Sequence, residues 1–324
     1  MKRYSMSVRL GQILLLVGLA GACEGDAGPA GPTGPAGQPG VAGPPGGPGV
    51  PGTPGSSFAG RTIYGVDAAN NLVTVAALTP GQRINIRPIT GLAAGETIVG
   101  IDFRPATDSL FAVSSASKLY TINISTGAVG AVGGGTFAPA LSGTNFGIGF
   151  NPQVDRLRIH TDAEQNLRVN QTASPLVVIN DAPLAYAAGD VNVGRNPNVV
   201  GTAYTLSVRP APSATELYAI DSDLDILVEL NVPNDGQLTT VGALGFDTSG
   251  DVGFDIAGDT DVGYATLTPA GTASGASRLY TINLRSGLAS VVGTVAHPTP
   301  LRSIAVAPGA PPAPLRIPEI TAVR

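Results

Sequence analysis

Two aspartates occupy matching places in a repeated five-residue phrase. Val99-Gly100-Ile101-Asp102-Phe103 and Val252-Gly253-Phe254-Asp255-Ile256 both read apolar-Gly-x-Asp-apolar. The phrase recurs at 146–150, 200–204 and, in degenerate form, 302–306, with Gly149, Ala203 and Ala305 where the carboxylates stand. Two carboxylates converging on one point could divide acid and base or nucleophile roles in glycoside hydrolysis, given a suitable separation. The competing use is structural: each carboxylate accepts neighbouring backbone N–H groups at a strand end. Repetition favours that second use, because duplicated structure duplicates its aspartates.

Other chemistry-bearing groups are sparse. Asp221-Ser222-Asp223-Leu224-Asp225 imitates the start of a calcium loop, which makes Asp221, Asp223 and Asp225 weak candidates for Ca²⁺. Ile226 replaces the glycine such a loop needs and no glutamate stands at its twelfth place, so an Asx-rich turn between two strands fits better. A second acidic set, Asp247, Asp251, Asp255, Asp259 and Asp261, surrounds one copy of the repeated phrase. His160 ends an alternating Arg156-Arg158-His160 run that reads as a solvated strand face, and His297 precedes Pro298 in a loop. Neither histidine has metal-ligand spacing. There is no G-x-S-x-G elbow and no P-loop, and the glycine-rich 127–135 segment lacks the βαβ setting of a dinucleotide site. No cofactor is expected.

The elements that would carry these residues are short strands. Past Ser57, apolar runs such as RTIYGV, TIVGIDF and KLYTIN alternate with Gly, Asn, Asp, Thr and Pro, and no sustained helical period intervenes. The phrase containing Asp102 returns every 47 to 54 residues, the spacing of propeller blades. Within each unit a second strand follows (Ile63–Val66, Leu110–Val113, Leu157–His160, Leu217–Ile220, Val262–Thr266). A third then ends on an apolar-Asn pair at Asn123, Asn170, Asn231 and Asn283. Hairpin signals STG, NDG and RSG lead into the fourth strand, since Gly or Asx supplies the positive φ a tight turn needs. The first unit lacks an opening strand, whereas Leu301–Ala307 is an opening strand with nothing after it. A closed ring solves both problems. The expectation is an all-β single β-propeller over 58–308, with five four-stranded blades, the C-terminal strand completing the first. A Pro-rich tail occupies 309–324.

The N-terminal region has its own logic. Lys2, Arg3 and Arg9 precede the apolar Ile13–Ala22 run, which predicts a signal peptide over 1–22 that is too short to span a bilayer. Leu19-Ala20-Gly21-Ala22-Cys23 resembles a lipobox, although Ala20-Gly21-Ala22 also suits ordinary secretory cleavage. Cys23 is the only cysteine and has no disulfide partner, which favours lipidation of Cys23. From Gly25 to Gly55 ten Gly-x-y triplets run unbroken, with nine prolines at x and y. Only glycine fits the crowded axis of three polyproline-II chains, so 25–55 predicts a collagen-like triple helix and hence a homotrimer.

Charge excludes some partners. The chain carries 18 Lys+Arg against 23 Asp+Glu, net −5, and loses three further cations with the leader. No basic run remains, so nucleic acid is not an expected partner. The membrane enters only through the N-terminal lipid.

Segments ITGLAAGETIVGIDFRPATDSLFAV, FAPALSGTNFGIGFNPQVDRLRI and LAYAAGDVNVGRNPNVVGTAYT, with ELYAIDSDLDILVELNVPNDGQLTTVGALG and SRLYTINLRSGLASVVG, resemble an uncharacterised bacterial family of exported domains, domain of unknown function 4394. The resemblance covers residues 60 to about 307 and implies a propeller-like fold but no catalytic residues; the Gly-x-y stalk is an addition to it. The resulting expectation is an extracytoplasmic, lipid-anchored or secreted cell-envelope protein, displaying trimeric heads for a glycan or protein ligand. An extracytoplasmic carbohydrate-active hydrolase using Asp102 and Asp255, or a structural envelope protein, are the alternatives.

Overall fold

The computed structural model describes residues 61–271 and 275–309. The predicted leader, Cys23, the Gly-x-y repeat and residues 310–324 of the Pro-rich tail lie outside the described residues. Among the described residues twenty-one strands form five sheets. The chain opens with β1 (Thr62–Val66), β2 (Asn71–Ala76) and β3 (Arg83–Pro88). The second blade is β4 (Ile98–Arg104), β5 (Ser109–Ser114), β6 (Leu119–Ile122) and β7 (Val129–Val132). The third is β8 (Phe146–Asn151), β9 (Arg156–Thr161), β10 (Asn166–Asn170) and β11 (Val177–Asn180).

The fourth blade departs from expectation. A two-residue strand, β12 (Ala185–Tyr186), precedes its four regular strands β13 (Val199–Tyr204), β14 (Leu217–Asp221), β15 (Ile226–Glu229) and β16 (Gln237–Ala243). It pairs in parallel with β16 and makes a five-stranded sheet. Two residues are too few to show alternation, so this edge strand was illegible in advance. The fifth blade is β17 (Gly253–Ala257), β18 (Val262–Leu267), β19 (Arg278–Ile282) and β20 (Ala289–Thr294). Finally β21 (Ser303–Val306) pairs antiparallel with β1, Ile63 opposite Val306. The C-terminal strand therefore completes the first blade, and the sheet order β21-β1-β2-β3 closes the ring.

Turn chemistry follows the sequence signals. Gly127, Gly236 and Gly287 lie at φ 79°, 66° and 79°. The asparagines ending third strands cap the turns that follow: Asn123 Oδ1 accepts from the Ser125 and Thr126 N–H groups, and Asn283 Oδ1 from those of Arg285 and Ser286. Such Asx turns satisfy backbone donors that leave the ladder.

The innermost strands β4, β8, β13, β17 and β21 touch in sequence around the axis, and the repeated glycine explains how they approach. A methyl group on Gly100 would collide with Ile148, one on Gly147 with Thr202, one on Gly201 with Phe254 Cβ (2.8 Å), and one on Gly253 with the Ile304 backbone nitrogen (2.7 Å). Each clash falls on the residue after the glycine-equivalent position of the next blade. Ser303 completes the cycle: its hydroxyl accepts from the Ile101 N–H at 3.0 Å. The phrase that revealed the repeat is thus the contact between blades.

Gly253→Ala is expected to destabilise the propeller by about 1–3 kcal/mol through overpacking against backbone that cannot yield. Gly81→Ala, whose methyl would meet nothing nearer than the Thr294 carbonyl at 3.7 Å, should change stability by less than about 0.5 kcal/mol. Urea unfolding of the two variants checks this; equal midpoints would refute the crowding argument.

Candidate functional site

Asp102 and Asp255 sit one step beyond the glycine ring, on β4 and β17, and both are buried. Asp102 Oδ2 accepts the Phe150 N–H of the next blade at 2.6 Å. Asp255 Oδ2 accepts the Val306 N–H of the next blade at 2.6 Å, and its Oδ1 accepts its neighbour Ile256 N–H at 2.7 Å. Phe150 and Val306 hold equivalent positions, so the two carboxylates make the same cross-link at two of the five junctions. Gly149, Ala203 and Ala305 cannot make it.

The two carboxylates also feel each other. Burial pushes both upward; the negative charge of Asp255 raises Asp102 further, while the backbone donors oppose the shift. Asp255 is pushed up to about 7. A buried carboxyl poised there could chemically act as an acid, but its oxygens are already engaged in holding neighbouring strands.

In the Arg156-Arg158-His160 run, Arg156 is half-buried and the other two do not face solvent. Arg158 is 3% exposed and His160 0%, because the fourth blade covers this face of the third. His160 Nε2 lies 3.1 Å from Asn166 Oδ1 and Nδ1 lies 2.9 Å from Thr202 Oγ1. The Asn166 NH₂ donates to the carbonyls of Ala182 and Pro233, both at 2.9 Å, which orients its amide. The proton therefore sits on Nε2, and Nδ1 accepts from the Thr202 hydroxyl. Burial, then the Arg158 charge, pushes the imidazole down to about 3, so it is neutral.

Arg158 Nη1 donates to Asn166 Oδ1 and Asp181 Oδ2, and Nη2 to Asn234 Oδ1, each at 2.7 Å. Arg168 reaches Asp181 from the other side at 2.9 and 3.1 Å. The register places His160 opposite Asn166 and Arg158 opposite Arg168, which gathers these residues on one sheet face. Period-two polar alternation was visible in the sequence. It reads equally as a wet face or one covered by another blade.

His297 lies in a loop and is buried there: its Nε2 lies 2.9 Å from Asp67 Oδ2 and from Thr299 Oγ1. Asp67 accepts from the backbone N–H groups of Ala69 and Asn71, tying the β1–β2 turn to the closing segment.

Asp221, Asp223 and Asp225 form the turn between β14 and β15. Asp221 Oδ1 accepts from the N–H groups of Asp223 and Leu224, its Oδ2 from the Tyr186 hydroxyl, and Asp225 Oδ1 from the Thr248 N–H. Asp223 Oδ1 takes the Asn198 amide. In the second acidic set, Asp259 pairs with Arg61 and Asp261 Oδ1 accepts the Leu206 N–H. Among the described residues no three or more His, Cys, Asp or Glu side chains gather as a metal-binding group, and no helix is long and apolar enough to cross a membrane.

Five sheets in a closed ring, joined at the axis by glycine contacts and carboxylate cross-links, define a five-bladed β-propeller. The chain belongs to the family described as Domain of unknown function (DUF4394), which it matches over residues 71–305. No curated protein matches the sequence. Among solved structures it is similar to a structural genomics protein of unknown function from Bacteroides thetaiotaomicron VPI-5482 (12% identity, TM-score 0.49, 78% of this chain and 66% of that one). It is also similar to a chain of the nidogen/laminin complex (12%, 0.43, 76% and 98%). A third is the dihydro-heme d1 dehydrogenase NirN in complex with DHE (14%, 0.34, 76% and 46%). This chain thus spans just under two thirds of the Bacteroides protein and under half of NirN. Likeness of this degree carries no argument about activity.

The Asp255 shift has a consequence for pH. An unfolded aspartate titrates near 3.9. From about pH 4 to about 7 the folded propeller therefore holds a proton that the unfolded chain has released, and stability falls as pH rises. His160 acts oppositely below about pH 6.5, so the informative quantity is the difference between parent and variant. Asp255→Asn is expected to lose about 1–3 kcal/mol less stability than the parent between pH 5 and pH 8, at about 1.4 kcal/mol per unit per proton. Parallel pH slopes in denaturant unfolding would exclude Asp255 as the titrating group.

Proposed function

We propose that this chain is an exported, lipid-anchored surface protein whose propeller head binds a ligand, displayed in three copies by a collagen-like stalk. The observation that favours binding over catalysis is the use of both axial carboxylates as cross-links to backbone N–H groups. A carboxylate that left its strand to serve a substrate would open the junction between two blades. The unbroken Gly-x-y run supports trimeric display, because glycine at every third place is what a triple helix demands. Thirty residues at roughly 3 Å each would set the heads about 90 Å from the anchor, and three linked heads multiply weak contacts.

The second reading, an extracytoplasmic carbohydrate-active hydrolase, is favoured by one observation: Asp255 is pushed up to about 7 beside a second buried carboxyl.

Sedimentation of the purified full chain is expected to give three times the monomer mass, with a triple-helical circular dichroism signature. Mass spectrometry of the mature N-terminus should find a lipid on Cys23. A monomer lacking that signature would refute the display. If Asp102→Asn and Asp255→Asn both abolished polysaccharide cleavage while leaving a folded propeller, the hydrolase reading would replace binding.

A further inference from the structure

Four of the five contacts between blades are apolar from both sides. Tyr64 meets Phe103 between the first and second blades (5.6 Å), and Phe111 meets Phe150 between the second and third (5.2 Å). Phe254 joins Tyr218 and Ile220 between the fourth and fifth, and Tyr264 joins Ile63 between the fifth and first. The contact between the third and fourth blades is different. The fourth brings Val199, Tyr204, Leu217 and Leu238, yet no apolar residue of the third blade's strands joins that cluster. The third blade instead presents Arg158, His160, Asn166 and Arg168.

A cleft of about 220 Å³ opens at this junction, lined by Arg156, Arg158, Arg168, Tyr204, Asn151 and Asn234 together with Val232 and Pro233. Two of the lining residues carry a buried polar atom with no hydrogen-bond partner in the protein: Arg158 Nε and the Tyr204 hydroxyl. Arg158 and Tyr204 are 3% and 2% exposed. Groups so placed normally find partners, and an Nε–H can only donate. Whatever completes it must be an acceptor.

The charge has the matching sign. Three guanidinium groups meet here, while Arg158 and Arg168 share the single carboxylate of Asp181. The nearby Asp155 carboxylate is spent on Arg104. A cationic excess persists in a chain whose net charge is −5.

We infer that this cleft binds the carboxylate of an acidic sugar unit. The planar guanidinium matches a carboxylate in shape and charge. The Tyr204 hydroxyl and the asparagines suit ring hydroxyls, and Val232 with Pro233 supply an apolar wall. The volume lies below the usual range of about 300–1,000 Å³ for drug-sized ligands, which limits the occupant to about one ring. The inference names a ligand class for the binding head proposed above. It concerns a single propeller, so a monomeric chain would leave it standing.

The test is thermal unfolding and calorimetry of the full chain with glucuronate and galacturonate. Glucose, inorganic phosphate and sodium chloride of equal ionic strength are the controls. Uronate should raise the melting temperature with concentration, as a ligand of the folded state does, and glucose should not. Tyr204→Phe removes a hydroxyl that has no hydrogen-bond partner in the protein. It should therefore leave the unliganded melting temperature unchanged or higher, and weaken uronate binding about 3–10-fold. Arg156→Gln should weaken binding at least as much. A uronate effect no larger than that of salt, or an undiminished affinity in both variants, would overturn the inference. A response to phosphate alone would overturn the carboxylate assignment. Glycan binding that survives both variants would move the ligand elsewhere on the head without refuting the head's binding role.

Discussion

The innermost strands of this propeller approach so closely that a Cβ atom has no room where they cross. Gly100, Gly147, Gly201 and Gly253 each face the following residue of the next blade, and Ser303 fills the fifth place with a hydroxyl that hydrogen-bonds to Ile101. Everything radial depends on that ring. Close-packed interiors tolerate neither added volume nor voids, so the tilt and spacing of five sheets follow from the contact at the axis. The register of β21 against β1 then brings the chain's two described ends into one sheet and pairs the edge of β1 that an open array would leave free.

Polar groups enter this frame where the backbone asks for them. Asp102 and Asp255 accept N–H groups one step beyond the glycines, at 2.6 Å. Two buried carboxylates close enough to repel would be unfavourable unpaired; the backbone donors offset part of that, and a raised proton affinity offsets more. Arg104 to Asp155 and Arg61 to Asp259 link adjacent blades, and such partly exposed pairs contribute little to stability. The junction between the third and fourth blades is the exception to an otherwise apolar scheme, held by Arg158, Asn166 and Asp181 rather than by hydrocarbon.

Blade number, strand order and ring closure were legible because a closed array repeats its backbone demands. Glycine at the axis, Asx after the third strand and glycine in the next turn are each required by local geometry, so they recur in register. The structural use of Asp102 and Asp255 was legible for the same reason. The burial of Arg158, His160 and His297 was not. An alternating polar run looks the same whether water or another blade covers it, and Arg158 meets Asn234 across 76 positions. β12 escaped notice because two residues have no period.

What this sequence determined alone is whatever the chain repeats: short strands, their turns, and a glycine wherever two strands must nearly touch. These are local steric requirements, each answered within a few residues. Tertiary structure alone decided which polar faces are covered, which carboxylates share an environment, and that Arg158 and Tyr204 line one cleft. Burial and charge coupling depend on what lies opposite, and in a ring the opposite surface belongs to a distant part of the chain.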